Sequence, residues 1–327
     1  MFSFRFRRQA LGICATASML AACQGSQSQF GAPPALPQSQ AAAKGSGDLL
    51  YVGGAQDKHG GKSRGALAVV TFPGGKPVAT IALDGYPTGI CSDRSGNVWA
   101  VVGDGHSWNV YEYAHGGTTP IAKIHVPNAG YYVADCAVDP TTGDLAVVGG
   151  AYDGSGATAY VDVWHGAAPG KPERFPFSFS PYACAYDDSG NLFLDGYVGS
   201  TIFFELAELA QGSKSVTSVS LDRNAGGYPG GVQWDGTYVD VIAVLRGGSA
   251  ILRVSVSDYK GHVVGIVRPK GLAYTGWFDI AGKTLVGDSG AGGQSLSLWP
   301  YPAGGQPLRK LDHLQMTVRG LTISVGS

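Results

Sequence analysis

Residues 86–102 read YPTGICSDRSGNVWAVV, a short apolar run, a polar cluster and a second apolar run. Asp, Ser, Gly and Asn favour turns because their short polar side chains bond the local backbone and because Gly and Asn accept positive φ. β-Branched and aromatic residues instead favour a pleated surface. The segment therefore reads as a β-hairpin turning at 93–97. Weaker copies follow as VADCAVDPTTGDLAVVGG (133–150), PYACAYDDSGNLFLDG (181–196), PGGVQWDGTYVDVIAV (229–244) and TGWFDIAGKTLVGD (275–288). A sixth copy is split: SGDLLYVGG (46–54) supplies its second half, and RGLTISVGS (319–327) its first.

The turn glycines Gly47, Gly96, Gly143, Gly190, Gly236 and Gly282 recur every 46 to 49 residues, a period that signals a repeat architecture. Between the hairpins runs a second pattern of strand, Gly-containing turn and strand, as in ALAVVTFPGGKPVATIAL and NVYEYAHGGTTPIAKIHV. Four strands per repeat, six times over, predict an all-β, six-bladed β-propeller over 46–327. One blade is shared by the two chain ends, which closes the ring and removes exposed sheet edges. FFELAELAQG (203–212) also fits one helical turn, a local irregularity in blade four.

The run P-x-G-I-C-x-D-x-x-G-N-V resembles blades of the NHL-repeat and gluconolactonase-like propellers, which often read P-x-G-I-A-x-D-x-x-G-N-x-Y. The likeness covers 46–327 and implies the fold. In gluconolactonase-like enzymes a channel metal is held by a glutamate with asparagines and an aspartate. Here the four glutamates Glu112, Glu173, Glu205 and Glu208 fall in the outer half of a blade, which departs from that pattern.

The start of the chain carries an address. Arg5, Arg7 and Arg8 precede an apolar run over 10–22 and then Cys23, which reads as a signal peptide over 1–22. Leu20-Ala21-Ala22-Cys23 resembles a bacterial lipobox, which implies cleavage before Cys23 and lipidation of that residue. Residues 24–45 are rich in Gln, Ser, Ala and Pro with Lys44 as the single charge, so the expectation for 23–45 is a lipidated cysteine on a flexible tether. The expected location is the bacterial cell envelope, outside the cytoplasm, with the membrane as partner through the anchor.

Charged residues make up 14% of the chain, and losing the three arginines takes the formal charge from −1 to −4. Without a basic cluster, nucleic acid is not an expected partner. The expectation is a monomer that meets an envelope protein or a glycan. Cys91, Cys136 and Cys184 are left in the propeller. Cys136 and Cys184 sit three residues before their turn aspartates and would be adjacent across neighbouring blades, so a disulfide would join that pair. The preferred reading has all three as small buried apolar side chains.

Propeller topology sorts the loops. Those between blades and those joining strands two and three share one face, here the loop face; the remaining hairpin turns share the other, the turn face. Tyr86, Tyr131, Tyr132, Tyr182, Tyr228 and Tyr274 stand at the blade starts on the loop face. They are candidates for stacking on a ligand or partner, or for packing the inter-blade loops. Asp135 and Arg319 are candidates for lining the channel. Asp104, Asp195 and Asp288 fall in strand-two-to-three loops of alternate blades and are candidate ligands for calcium or another divalent ion. No resident cofactor is expected otherwise. The turn acids Asp93, Asp139, Asp187, Asp235 and Asp279 read as structural, and the six tryptophans as core. The seven histidines show no metal-ligand spacing, and no G-x-S-x-G elbow or Walker loop is present. The reading is a binding module on the tyrosine-rich face rather than an enzyme. The alternative is a metal-dependent hydrolase or lyase using Asp104, His106, Asp195 and Asp288.

Overall fold

A computed structural model describes residues 47–326 apart from 57–63, 131, 152–157, 199–202, 227, 274–275, 290–294, 313 and 315. The described chain is almost entirely β, in six sheets arranged as the blades of a propeller, each with four antiparallel strands. The innermost strands are Thr317–Ser324, Tyr86–Ser92, Tyr132–Val138, Ser180–Tyr186, Val232–Trp234 and Phe278–Ala281, for blades one to six. In blade one the C-terminal strand Thr317–Ser324 pairs with the N-terminal strand Leu49–Gln56, so the split repeat closes the ring.

The hairpin turns follow from their side chains. Asp93 Oδ1 accepts the backbone N–H groups of Ser95 and Asn97, and Oδ2 accepts the Asn97 side-chain amide. Asp187 repeats all three bonds with Ser189 and Asn191. Gly96 stands at φ 81°, and a Cβ there would lie 2.4 Å from Val325 O, so glycine is required twice over.

Each of six apolar clusters lies between two neighbouring blades. Blades are thus covered on both sheet faces, and Val98–Gly103 is buried at every position. That is why strand-two sequences such as VWAVV lack alternation.

Four sequence readings are corrected. The 203–209 segment is the strand Phe203–Leu209 and contains no helical turn. The true irregularity lies just after it. Thr217–Ser218 pairs within blade four, but Ser220–Leu221 crosses to run parallel to Lys260–Val267, which gives blade five a fifth strand. Asp195 and Asp288 lie inside the buried strands Leu192–Val198 and Thr284–Ser289 and not in loops. Their neighbouring glycines continue the ladder instead of ending it.

The cysteines supply another correction. Cys91 and Cys136 form a disulfide with Cα atoms 5.7 Å apart, while Cys184 is a buried free thiol. Side chains alternate along a strand, so residues of equal phase on neighbouring inner strands point the same way around the ring. Cys136 accordingly sits in the cluster between blades two and three, and Cys184 in that between blades three and four. Cys91, one place out of phase, faces Cys136. The fourth misreading is Asp279, which belongs to an inner strand and not to a turn.

Candidate functional site

The six innermost strands surround a channel that holds a cavity of about 520 Å³. Its turn-face mouth is crossed by a chain of contacts from three blades. The Arg94 guanidinium meets Asp188 Oδ1 at 2.5 Å, and Trp234 Nε1 donates to Asp188 Oδ2 at 2.9 Å. Arg94 and Asp188 are both more than half exposed, so water screens this pair and its worth to stability is small.

Around the channel every seam between blades has its own clasp. Ser92 Oγ donates to Ile323 O at 2.9 Å, joining blades two and one, and the Cys91–Cys136 disulfide joins two and three. Cys184 N donates to Asp135 Oδ2 at 3.2 Å, and Gly230 N to Asp195 Oδ2 at 3.0 Å. Gln233 Nε2 donates to Phe278 O at 3.1 Å, and Ile323 N to Asp279 Oδ2 at 2.7 Å. Burial pushes the Asp135 and Asp195 carboxyls well above the usual range, and the N–H groups they accept pull them only part of the way back. Asp279 is pushed up to about 6 by the same desolvation. Burial thus favours the protonated forms of Asp135 and Asp195 inside the ring.

The loop-face end of the channel is a collar built on a recurring bulge. In blades one to four the ladder skips Arg319, Thr88, Ala134 and Tyr182 in turn. Such a bulge takes the extra residue out of the ladder and re-aims its side chain. Tyr182 stacks on Trp277 from blade six, with ring centroids 5.3 Å apart. Its hydroxyl is raised by burial and by the charges of Asp288, Asp195 and Asp135, with Arg319 opposing.

The sequence-chosen residues divide sharply. Asp135 lines the cavity at 6% exposure, and Arg319 is exposed on an inner strand. Tyr86 and Tyr228 are exposed on the loop face. Tyr132 reaches Pro181 O at 3.5 Å, and burial pushes its hydroxyl up to about 12, which fits the inter-blade packing reading. Tyr131, Tyr274 and Cys23 lie outside the described residues. Asp104 is exposed at a loop tip, where its Oδ1 accepts the N–H groups of His106 and Ser107; those bonds hold it below the usual carboxylate range. Asp195 and Asp288 are buried in the blades, so the structure does not bring the three acids together. Among the described residues no group of three His, Cys, Asp or Glu converges to hold a metal.

Trp234, Trp277 and Asp279 line the channel, a role the sequence reading missed. Their signal was available: each falls in or beside the first strand of its hairpin, which is the strand that faces the axis. The bulge residues gave less away, since Thr88, Ala134, Tyr182 and Arg319 share no chemistry.

Fold and site together define a six-bladed β-propeller with an open, aromatic and acid-lined channel. No protein-family model matches the chain, and no curated protein matches it. Solved structures do. One is a chain of a nidogen/laminin complex, with a TM-score of 0.61 at 13% identity over 86% of this chain and 100% of that one. Another is TolB from Acinetobacter baumannii, with a TM-score of 0.55 at 14% identity over 86% of this chain and 67% of that one. A functionally unknown protein from Desulfotomaculum acetoxidans DSM 771 aligns with a TM-score of 0.53 at 11% identity over 85% of this chain and 90% of that one. At such identities the likeness is one of fold.

Proposed function

We propose that the protein is a lipid-anchored, extracytoplasmic binding module with NHL-like blades that seats its ligand in the central channel. The observation that carries this reading is the cavity of about 520 Å³ lined by the innermost strands of all six blades. Its size suits a small ligand or a protruding group of a larger one, and its lining mixes tryptophan faces with a few fixed polar groups, as ligand sites do. Tyr86 and Tyr228, exposed on the loop face, extend the contact surface toward an envelope protein or glycan. The lipobox-like Leu20-Ala21-Ala22-Cys23 and the tether over 24–45 support the anchored, envelope location.

The test is a melting-temperature screen of the purified protein against small metabolites and envelope glycan fragments. A ligand at about one hundred times its Kd stabilises by about 2.7 kcal/mol. Hits are expected to lose their effect in Ala185→Trp, which fills the cavity, and to keep it in Tyr86→Ala and Tyr228→Ala. The opposite pattern would move the site to the tyrosine face. In cells, Cys23→Ala is expected to shift the protein from the membrane to the soluble fraction.

A further inference from the structure

Blade four lacks half of its outer strand. In blades one, two, three and six the outer strand reaches almost to the loop-face start of the third strand, pairing with Ala66, Asn109, Ala159 and Leu296. The third strand of blade four starts at Phe203, yet its outer partner Thr217–Ser218 pairs only with Ala207 and Glu208, and Val219 N adds one bond to Leu206 O. Ser220–Leu221 then leaves for blade five, where Ser220 N donates to Tyr259 O and Asp222 N to Gly261 O. The Asp222 carboxylate fastens the crossing: Oδ1 accepts Val263 N and Oδ2 meets the His262 ring. The chain that would complete blade four is therefore held on its neighbour.

The consequence is an open sheet edge. Among the described residues no strand stands on the outer side of Phe203, Phe204 and Glu205. Backbone N–H and C=O groups of successive residues point to alternate sides of a strand. Leu206 O faces outward, so the N–H and C=O of Phe204 face outward too. A cavity of about 260 Å³ lies along this edge, walled on its far side by the crossing chain from Ser218 to Leu221 and by Arg223 to Gly226. Phe203 is 66% exposed, and its cross-strand neighbour Val198 is 42% exposed. An unpaired edge beside exposed apolar side chains is a template for another chain, and proteins ordinarily cover it or charge it.

The edge specifies its occupant. An extended peptide backbone presents N–H and C=O groups at the strand repeat and sends alternate side chains to the flanking surfaces. Phe203 and Val198 favour apolar side chains beside them. Exposed Arg223 stands on the groove rim and forms no salt bridge among the described residues, so a carboxylate matches it. Glu205 lines the groove too and disfavours an acid beside itself. Because the crossing chain walls the far side, the gap suits one extended strand and not the sheet edge of a folded second copy. We propose that the outer edge of blade four binds an extended, apolar peptide segment of a partner protein, which pairs with Phe204 as a fourth strand and sets an acidic residue against Arg223. No residue that lines this groove lines the channel cavity, so the site is separate from the ligand seat there.

The experiment is fluorescence anisotropy of a labelled, C-terminally amidated peptide of alternating valine and threonine that ends in aspartate, titrated with the purified protein. Saturable binding is expected, and binding about tenfold weaker when every peptide nitrogen is methylated, which removes the N–H donors. Phe204→Pro removes the outward N–H of the edge and is expected to weaken binding about tenfold. Arg223→Glu is expected to weaken it about fivefold, and a peptide ending in lysine should recover that loss against this variant. If Phe204→Pro fails to fold, the methylated peptide and the charge exchange carry the test. No saturation up to about 1 mM, or equal binding of the methylated peptide, overturns the proposal. Binding that Ala185→Trp abolishes and methylation leaves alone overturns the edge site and moves the peptide to the channel. Sedimentation that shows a dimer, separated into monomers by Phe203→Lys, overturns the peptide in favour of a second copy on the same edge.

Discussion

The two ends of the channel are built on opposite principles. At the turn end the same device recurs: Asp93 and Asp187 each close a turn with three identical bonds, and Asp139 does so with Thr141 and Thr142. Asp93, Asp139 and Asp187 bond within their own turns through both oxygens. At the loop-face collar the backbone device recurs, as a bulge, but its side chain does not: Thr88, Ala134, Tyr182 and Arg319 share one structural place. Where side chains repeat in this ring they hold the fold. Where only the backbone repeats, the side chains are free to differ.

The disulfide sharpens that division, because it is unrepeated and yet structural. It closes a sequence separation of 45 residues across one seam. The double variant Cys91→Ala with Cys136→Ala is expected to lose about 2–4 kcal/mol, mainly through a freer unfolded chain. Denaturant unfolding should show the loss as a lower midpoint, and reductant should bring the wild-type protein to a similar value. A variant as stable as the wild type would mean that the seam is held by its apolar cluster alone.

A smaller effect tests the turn end directly. Asp187→Ala removes the acceptor of the Ser189 and Asn191 N–H groups and of the Asn191 amide. The expected cost is about 1–3 kcal/mol, with no change in binding to the channel. If the substitution were neutral in the melt, repetition would be a poor guide to structural role in this chain.

The repeat was legible because each hairpin carries its own local chemistry. Gly96, Gly143, Gly190, Gly236 and Gly282 all stand at positive φ, so the spacing of glycines tracked real turns. Ring closure was legible because half a repeat stood at each end. What failed was direction. Cys136 and Cys184 have equal phase, and sequence position alone does not say which neighbouring blade a side chain faces. Asp195 and Asp288 were placed in loops because Asp beside Gly resembles a turn, whereas the ladder runs on through Gly196 and Gly287. The bulges left no sequence signal, since a bulge is a relation between two strands. The collar therefore came only with the structure, although Tyr182 and Arg319 had been singled out for other reasons.

The smallest expected effect concerns protons, and it sets the buried acids of the ring against the exposed acids of the loops. Tyr301 gives the firmest case. Its hydroxyl lies 2.6 Å from Asp235 Oδ2 and 2.5 Å from Asp240 Oδ2. One phenol proton cannot serve both, so one carboxyl supplies a second. Asp235 pairs with Arg253 and is held low by its Tyr301, Arg253 and turn N–H bonds, which outweigh its burial; Asp240 is pushed up to about 7 by burial and carries the proton. Asp240 and Asp279 both bind protons more tightly folded than unfolded. The folded state therefore loses stability as pH rises from the ordinary carboxylate value near 4 through about 6 for Asp279 and about 7 for Asp240, and the curve flattens above. Asp235 is ionised both folded and unfolded above pH 5 and offsets almost none of this, so between pH 5 and 7 the loss is on the order of 1 kcal/mol per pH unit. Melting temperatures across that range should fall with pH, and Asp240→Asn should reduce the slope, because an amide donates the bond at every pH. A melting temperature that rises from pH 5 to 8 would show that the ionised forms are the stabilised ones. The protonated state inferred for Asp135 and Asp195 would then fall with it.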